Sequence, residues 1–555
     1  MLPIHRCLTL AAVFAISASV PCAAQVGGGS ETLYEWIGGT NHYLGDSVSN
    51  AGDVNGDGFE DIIILAPLEN DGVVRVLSGL DGSELHNIVP GLLFDNVGSS
   101  VSGTGDVNAD GFDDFVIGHS GAAPGGLTGA GSASVYSGVD GSLLYQWTGV
   151  AAGDGFGCAV SDVGDLNQDG YDEVLVGAEW TNLAGMNHVG SVFVYSGIDG
   201  SLLFQWDGAQ ESWLGESVSG AGDVDSDGIP DVIAGAPGAS SAFVYSGANG
   251  ATLHSFTVSG GMHMLGQSVS DAGDIDQDGF ADVIIGAFRS REAGKLDVGS
   301  AHVYSGVSGA EIFSWHGRAI DDLFGYSVSS TEDANGDGIR DLIVGASQSN
   351  PGGVSGSGYV NLYSGADGVL LQNWQGEASG ENFGESVSGL SDIDGDGLSE
   401  IIIGARFAQP SGLYRAGSAS VMSFKPYLNI DHREVSAAAG GVLNLSLDFP
   451  DTGAGYDYRV LISATGVGPI TVGVEIPLSI DRLVRQTKQG NYPFTTYSNL
   501  QGSLDSIGDA TASISLASGL PPSLIGRTFW LAAVVNQTGQ LPEYSSVAVS
   551  VQITP

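Results

Sequence analysis

An all-β fold is what this sequence predicts, and three observations carry the prediction. Glycine supplies 88 of 555 residues while 14% are charged, a composition suited to many short strands joined by tight turns. An acidic loop recurs seven times, at intervals of 51 to 59 residues. Around each loop the same frame of four strand-like runs returns. One four-stranded sheet whose central strands are apolar cannot bury both its faces, so the units must stack radially as the blades of a seven-bladed β-propeller.

Taken in chain order, Arg6 precedes an apolar run from Leu8 to Val20, followed by Pro21 and the small-residue sequence Cys22, Ala23, Ala24. This is the pattern of a secretory signal over residues 1–24, cut before Gln25. A short membrane anchor is the alternative, and lipid attachment at Cys22 is disfavoured by Pro21, where a small residue normally stands. Removal of the signal leaves Cys158 as the one cysteine, so an exported chain would fold without an internal disulfide. Something else must staple it.

Each repeat opens on an apolar residue and glycine (Leu44 and Gly45, Val97 and Gly98, Phe156 and Gly157, through Phe383 and Gly384), then a Ser-Val-Ser strand and the acidic loop. An apolar run ending in Gly-Ala follows, such as Asp282 to Ala287. A third strand, an Asp-Gly turn and a fourth strand with an aromatic stripe complete the unit, as in Ser201 to Trp206. The last unit, Phe383 to Met422, lacks a fourth strand, whereas Leu33 to Gly38 has that strand's pattern yet precedes the first repeat. The N-terminal segment is therefore expected to complete the seventh blade and leave no open edge.

The acidic loops offer side-chain oxygens at positions 1, 3, 5 and 9 and a backbone carbonyl at position 7, a donor set for calcium, which takes six to eight oxygens at about 2.3–2.6 Å. The first presents Asp53, Asn55, Asp57, the Phe59 carbonyl and Asp61; the second Asp106, Asn108, Asp110, Phe112 and Asp114; the third Asp165, Asn167, Asp169, Tyr171 and Glu173. The fourth has Asp223, Asp225, Asp227, Ile229 and Asp231, and the fifth Asp274, Asp276, Asp278, Phe280 and Asp282. Asp333, Asn335, Asp337, Ile339 and Asp341 form the sixth, and Asp392, Asp394, Asp396, Leu398 and Glu400 the seventh. Up to seven Ca2+ ions are expected. Carboxylates packed this closely repel one another without a cation, which argues against ordinary turns. An EF-hand loop would need an acid at position 12, where Ile64, Ile117, Val176, Ala234, Ile285, Val344 and Ile403 stand.

The frame resembles the FG-GAP repeat, the blade unit of the integrin alpha-subunit N-terminal propeller and of many bacterial surface proteins, over residues 31–424. Leu65, Ala66, Pro67 and Gly235, Ala236, Pro237 carry its GAP element, with Gly-Ala at Gly177, Gly286, Gly345 and Gly404 and a departure at Gly118 and His119. The resemblance implies a secreted or cell-surface propeller with the same calcium ligands.

Net charge is −48, concentrated at about −46 in residues 26–424. Such a body repels nucleic acid and anionic lipid, and no membrane span is expected beyond the signal. Histidines do not recur at metal-ligand spacing, no nucleophile elbow or phosphate loop is present, and Cys158 takes a slot that is polar in the other blades. The stripe Trp36, Trp147, Trp206, Trp315 and Trp374 reads as packing between blades. Residues 425–555 show alternating runs that predict a small C-terminal β-sandwich, with a short amphipathic helix over residues 481–487. The expected function is non-enzymatic binding or adhesion to an extracellular protein or glycan. The alternatives are a polysaccharide lyase or hydrolase using the propeller face, and a structural envelope or matrix protein. Connectivity puts the calcium loops on one face and the variable loops on the other, where Arg289, Arg291, Lys295, Arg406 and Arg415 suggest an anion-binding patch beside Phe407 and Tyr414.

Overall fold

Seven four-stranded antiparallel sheets follow one another along the chain. The computed structural model describes residues 29–70, 72–89, 99–183, 185–258, 263–291, 295–430 and 434–449, and in the C-terminal part 456–463, 469–472, 474–477, 496–505, 509–516, 518, 520, 522–525, 527–536, 544–546 and 549–555. The expected signal, the pair Val97 and Gly98, and the helix expected over 481–487 lie outside the described residues.

The first blade shows why the pattern folds as it does. Its strands are Val48–Gly52, Asp61–Ala66, Val73–Leu77 and Glu84–Ile88, paired in that order. Asp61 to Ala66 is buried at every position, as a central strand covered on both faces must be. The innermost strands contact one another in sequence around the ring, and Ser386–Gly389 of the seventh blade returns to Val48–Gly52 of the first. Ser-Val-Ser supplies part of the bond between blades. Val101 N–H donates to Ser47 Oγ at 3.2 Å, Val160 to Ser100 at 3.2 Å, Val269 to Ser217 at 3.1 Å, Val328 to Ser268 at 3.0 Å and Val48 to Ser386 at 3.0 Å. Blade 3 has Ala159 in the serine slot and cannot make this bond to blade 4. The second serines, Ser49 through Ser388, line a central cavity of about 440 Å³.

The glycine pairs have a steric reason. A Cβ on Gly177 would stand 2.0 Å from Gly215 O, and on Gly235 1.9 Å from Gly266 O. The glycine of Gly-Ala in one blade thus abuts the glycine of Phe-Gly in the next, at a distance that admits no side chain.

Closure follows the expected route. Gly29–Ile37 pairs antiparallel with Ser418–Lys425, the third strand of the seventh blade, so that segments nearly 400 residues apart share one sheet. That strand runs three residues past Met422, because Gly29 to Glu31 pair with Ser423 to Lys425. The tryptophans pack between blades as expected: Trp147 on Tyr195 (4.5 Å between ring centres), Trp206 on Tyr245 (4.6 Å) and Trp315 on Tyr363 (4.3 Å). Their indole N–H groups donate to Gly200, Gly250 and Gly368 carbonyls of the following blade at 2.9–3.0 Å.

Beyond Pro426, strands Leu428–Ile430, Gly441–Asp448, Asp509–Leu516 and Thr496–Ser498 form one sheet, and Glu434–Ser436, Val549–Thr554, Thr528–Asn536, Asp457–Ser463 and Gln501–Ser503 another. Leu443, Leu445 and Ile514 of the first share a core with Val460, Ile462, Ala533 and Val551 of the second. This is the sandwich-like arrangement that the alternating runs predict.

Candidate metal centre

Each acidic loop joins the first and second strands of its blade and is wound about its own carboxylates. In the first, Asp53 accepts from Gly56, Asp57 and Gly58 N–H at 2.7, 3.0 and 2.9 Å. Asp57 accepts from Phe59 N–H at 3.0 Å, which fixes the direction of the position 7 peptide. The glycine at position 6 has φ of 81–93° in all seven loops, a conformation in which a Cβ is strained. The other loops repeat this framework, with Asp106, Asp165, Asp223, Asp274, Asp333 and Asp392 each accepting from the N–H groups of positions 5 and 6.

Position 9 is the buried wall of the site. Asp61, Asp114, Glu173, Asp231, Asp282, Asp341 and Glu400 are all 0% exposed. One oxygen of each accepts from the position 2 N–H, at 2.6–3.1 Å. In five blades the other accepts from the glycine after the third strand: Gly79, Gly138, Gly247, Gly306 and Gly365. The longer Glu173 and Glu400 make the same position 2 bond as the aspartates but not the glycine bond, which is found only where position 9 is Asp.

Burial first, and then repulsion from the acids at positions 1, 3 and 5, pushes these carboxyls up. Asp61, Asp114 and Glu173 rise to about 7, Asp231 and Asp282 to about 6, and Glu400 to about 8; Asp341 rises well above its ordinary value. A cation among them would reverse that shift.

The residues fit such an ion. Oxygens of Asp165, Asp169 and Glu173 lie within 4.8 Å of one another, as do those of Asp223, Asp225 and Asp231, of Asp274, Asp276 and Asp282, and of Asp392, Asp394 and Glu400. Glu400 Oε1 is buried without a hydrogen bond of good geometry, although the Ser423 hydroxyl stands close enough to favour its charged form. In the first, second, third and sixth loops the position 3 asparagine turns its amide N–H to position 9: Asn55 at 3.2 Å, Asn108 at 3.5 Å, Asn167 at 2.7 Å and Asn335 at 2.9 Å. Rotating the amide by 180° would aim its oxygen at an ion instead. For Asn108 this would also relieve an Oδ1 that is buried and unbonded.

Sequence reasoning missed position 8. Asp113 accepts from Asp53 N–H at 2.7 Å, Asp172 from Asp106 N–H at 3.0 Å, and Glu60 from Ser391 N–H at 2.7 Å. Arg340 pairs with Asp271 at 2.9 Å. These side chains tie one blade's loop to its neighbour. The available signal was a polar residue beside the buried acid, which reads equally as solvated surface.

On the opposite face the expected five-residue basic patch does not form as a unit. Arg406 is held by Asp46 at 2.8 Å and Glu385 at 3.0 Å, which neutralise it. Arg415 lies over the rings of Tyr43, Phe407 and Tyr414 and donates to Tyr43 Oη at 2.8 Å. Arg289, Arg291 and Lys295 remain exposed. Cys158 donates to Gly215 O, and burial together with Glu179 and Glu216 raises its thiol well above its ordinary value, the opposite of what a nucleophile needs.

Residues 44–77, 324–362 and 383–422 match the FG-GAP repeat and residues 223–285 the FG-GAP-like repeat. Among characterised proteins, integrin alpha-5 of Xenopus laevis is 33% identical over 227 residues, 37% of this chain and 21% of that protein. Integrin alpha-V of Gallus gallus is 28% identical over 295 residues, 49% of this chain and 27% of that protein. Integrin alpha-4 of Xenopus laevis is 36% identical over 169 residues, 27% and 16% respectively. The matches span about a quarter or less of these relatives' length.

Proposed function

This chain is an FG-GAP repeat protein resembling the integrin alpha N-terminal propeller, and on that premise we propose that it is an extracellular, calcium-stiffened binding or adhesion module. The propeller of residues 31–424 is the binding unit, residues 425–555 are a spacer or attachment domain, and residues 1–24 direct export. Calcium is held by the side chains at positions 1, 3, 5 and 9 of each acidic loop, from Asp53 to Glu400, and by the carbonyls of Phe59, Phe112, Tyr171, Ile229, Phe280, Ile339 and Leu398. The observation that carries the reading is the recurrence of buried, mutually repelling carboxylates at one end of every blade, with position 8 ties joining neighbouring loops. A bound cation there would stiffen the ring as a whole and leave the other face to meet a partner.

On that other face Tyr414 is 52% exposed and Leu413 40% exposed, next to Arg415 and its aromatic neighbours. Aromatic and arginine side chains of this kind anchor protein and glycan contacts. The test is binding of the secreted protein to arrays of cell-surface proteins and glycans with and without calcium. Tyr414→Ala with Arg415→Ala should abolish retention while leaving the melting temperature in calcium unchanged. Full binding by the double variant, or binding by residues 425–555 alone, would place the site elsewhere.

One observation favours the enzymatic alternative. Burial first, and then the neighbouring Glu216, push the Glu179 carboxyl well above the ordinary carboxylate range, while Gln267 donates to Glu216 at 3.0 Å. A carboxyl pair of this kind can serve acid and base steps. Turnover of a polysaccharide by the wild type that Glu179→Gln abolishes would support this reading over adhesion.

A further inference from the structure

The seventh loop differs from the other six for a reason that lies in ring closure. Where the third strand ends in Ser-Gly and the chain turns into the fourth, the glycine N–H is available to the buried acid, as Gly79 is to Asp61 at 3.1 Å and Gly365 to Asp341 at 3.1 Å. In the seventh blade the fourth strand comes from the N-terminus, so no such turn exists. Phe424 stands in the glycine's place and pairs with Ser30, while the strand continues to Lys425, opposite Gly29. Two consequences are visible. Glu400 Oε1 is left without the glycine donor that five of its six counterparts have; Glu173, the sixth, accepts from Asn167 Nδ2 at 2.7 Å instead. The extended strand also delivers the Lys425 ammonium onto the loop, 3.2 Å from Asp394 Oδ2 and in contact with Asp396 Oδ2, with 27% of its side chain exposed.

We propose that Lys425 is a built-in competitor for the cation at the seventh loop, so that calcium enters this site only by displacing the lysine and binds it more weakly than the other six. The inference rests on the calcium reading of the loops. The physical basis is charge: an ammonium on Asp394 and Asp396 already supplies part of what the ion would supply, and its ion pairs must break before both carboxylates can turn to the metal. The lysine is two residues before Tyr427, whose ring packs at 5.0 Å on Phe449 of the C-terminal core and whose hydroxyl fills the space where a Cβ on Gly29 would lie. Displacing Lys425 therefore acts on the junction between propeller and sandwich, and the loading of this one loop becomes a calcium-dependent adjustment of that junction.

The test is equilibrium dialysis of the full chain against graded calcium, with bound metal counted per chain, for wild type, Lys425→Met and Lys425→Arg. Methionine keeps the apolar stem and removes the charge. Wild type and Lys425→Arg should bind the last equivalent about tenfold more weakly than the rest, whereas Lys425→Met should bring it in with the others. In stability measurements Lys425→Met should melt below wild type without calcium and at or above it with calcium; a lysine with a merely structural role would lower both. Should the variant fail to fold, the wild type alone gives an answer through amine acetylation read by mass spectrometry. Labelling of Lys425 should rise on calcium addition while that of Lys295 stays constant. Superimposable isotherms for wild type and Lys425→Met, or Lys425 labelling indifferent to calcium, overturn the competitor. Absence of bound calcium in all three proteins overturns the calcium reading itself.

Discussion

Removing calcium should reverse the direction in which pH acts on stability. In the calcium-free protein the seven position 9 carboxyls are fully buried, and six of them are raised to about 6–8. A carboxyl raised in this way holds its proton more tightly folded than unfolded, so stability is greatest where the proton is kept and falls as pH rises from about 4 towards the folded value. The slope for one fully titrating group is about 1.36 kcal/mol per pH unit. Allowing half of that for solvent relaxation, a carboxyl such as Asp61 costs about 1 kcal/mol between pH 5 and pH 7, and the loops together cost several. With calcium the charged form is the ligand and protons compete with the metal, so stability rises over the same interval. Sites with a dissociation constant of about 10–100 μM would each contribute roughly 1.4–2.7 kcal/mol in about 1 mM calcium. Six such sites approach the whole stability of an ordinary domain, about 5–15 kcal/mol. The assay is urea denaturation followed by tryptophan fluorescence at pH 5 and pH 8, on metal-stripped protein and in calcium; Trp147, Trp206 and Trp315 report from the blade interfaces. The metal-stripped protein should be more stable at pH 5, and the loaded protein at pH 8. The same sign of slope in both would refute the argument.

Deleting residues 29–37 should expose the outer edge of the Ser418–Lys425 strand and one flank of the first blade, producing oligomers by light scattering; a monomer with an unaltered melting temperature would mean that closure contributes nothing. Gly177→Ala places a methyl 2.0 Å from Gly215 O and should destabilise by about 2–3 kcal/mol in urea titration, since backbone rather than a mobile side chain must yield. Trp315→Phe should cost about 1 kcal/mol more than Trp374→Phe, because Trp315 donates to Gly368 O at 3.0 Å whereas Trp374 Nε1 is buried without a partner. Both are read from the same denaturation curves, and equal losses would show that the indole bond is immaterial.

Blade number, strand order and the position of every acidic loop were legible along the chain because each depends on residues within one repeat of 51 to 59. Even the closing strand could be found by counting, since Leu33 to Trp36 repeats the fourth-strand pattern and the last unit lacks it; Trp36 does pair with Ala419. What the repeat could not disclose is how one blade meets the next. Asp113 on the neighbouring loop's Asp53, Gly177 against Gly215 and Ser386 under Val48 are contacts between residues 38 to 338 positions apart, set by the rotation between blades. The same holds for charge. Arg406 reads in sequence as a free cation in a variable loop, and only the closed ring brings Asp46, 360 residues away, to neutralise it. Lys425 likewise reads as the first residue of a new segment, until pairing with Gly29 extends its strand and lays its ammonium on Asp394 and Asp396. Periodicity in sequence determines the unit and its ligands; the closed ring decides which charges those units share, because electrostatic partners are chosen by distance in space and not along the chain.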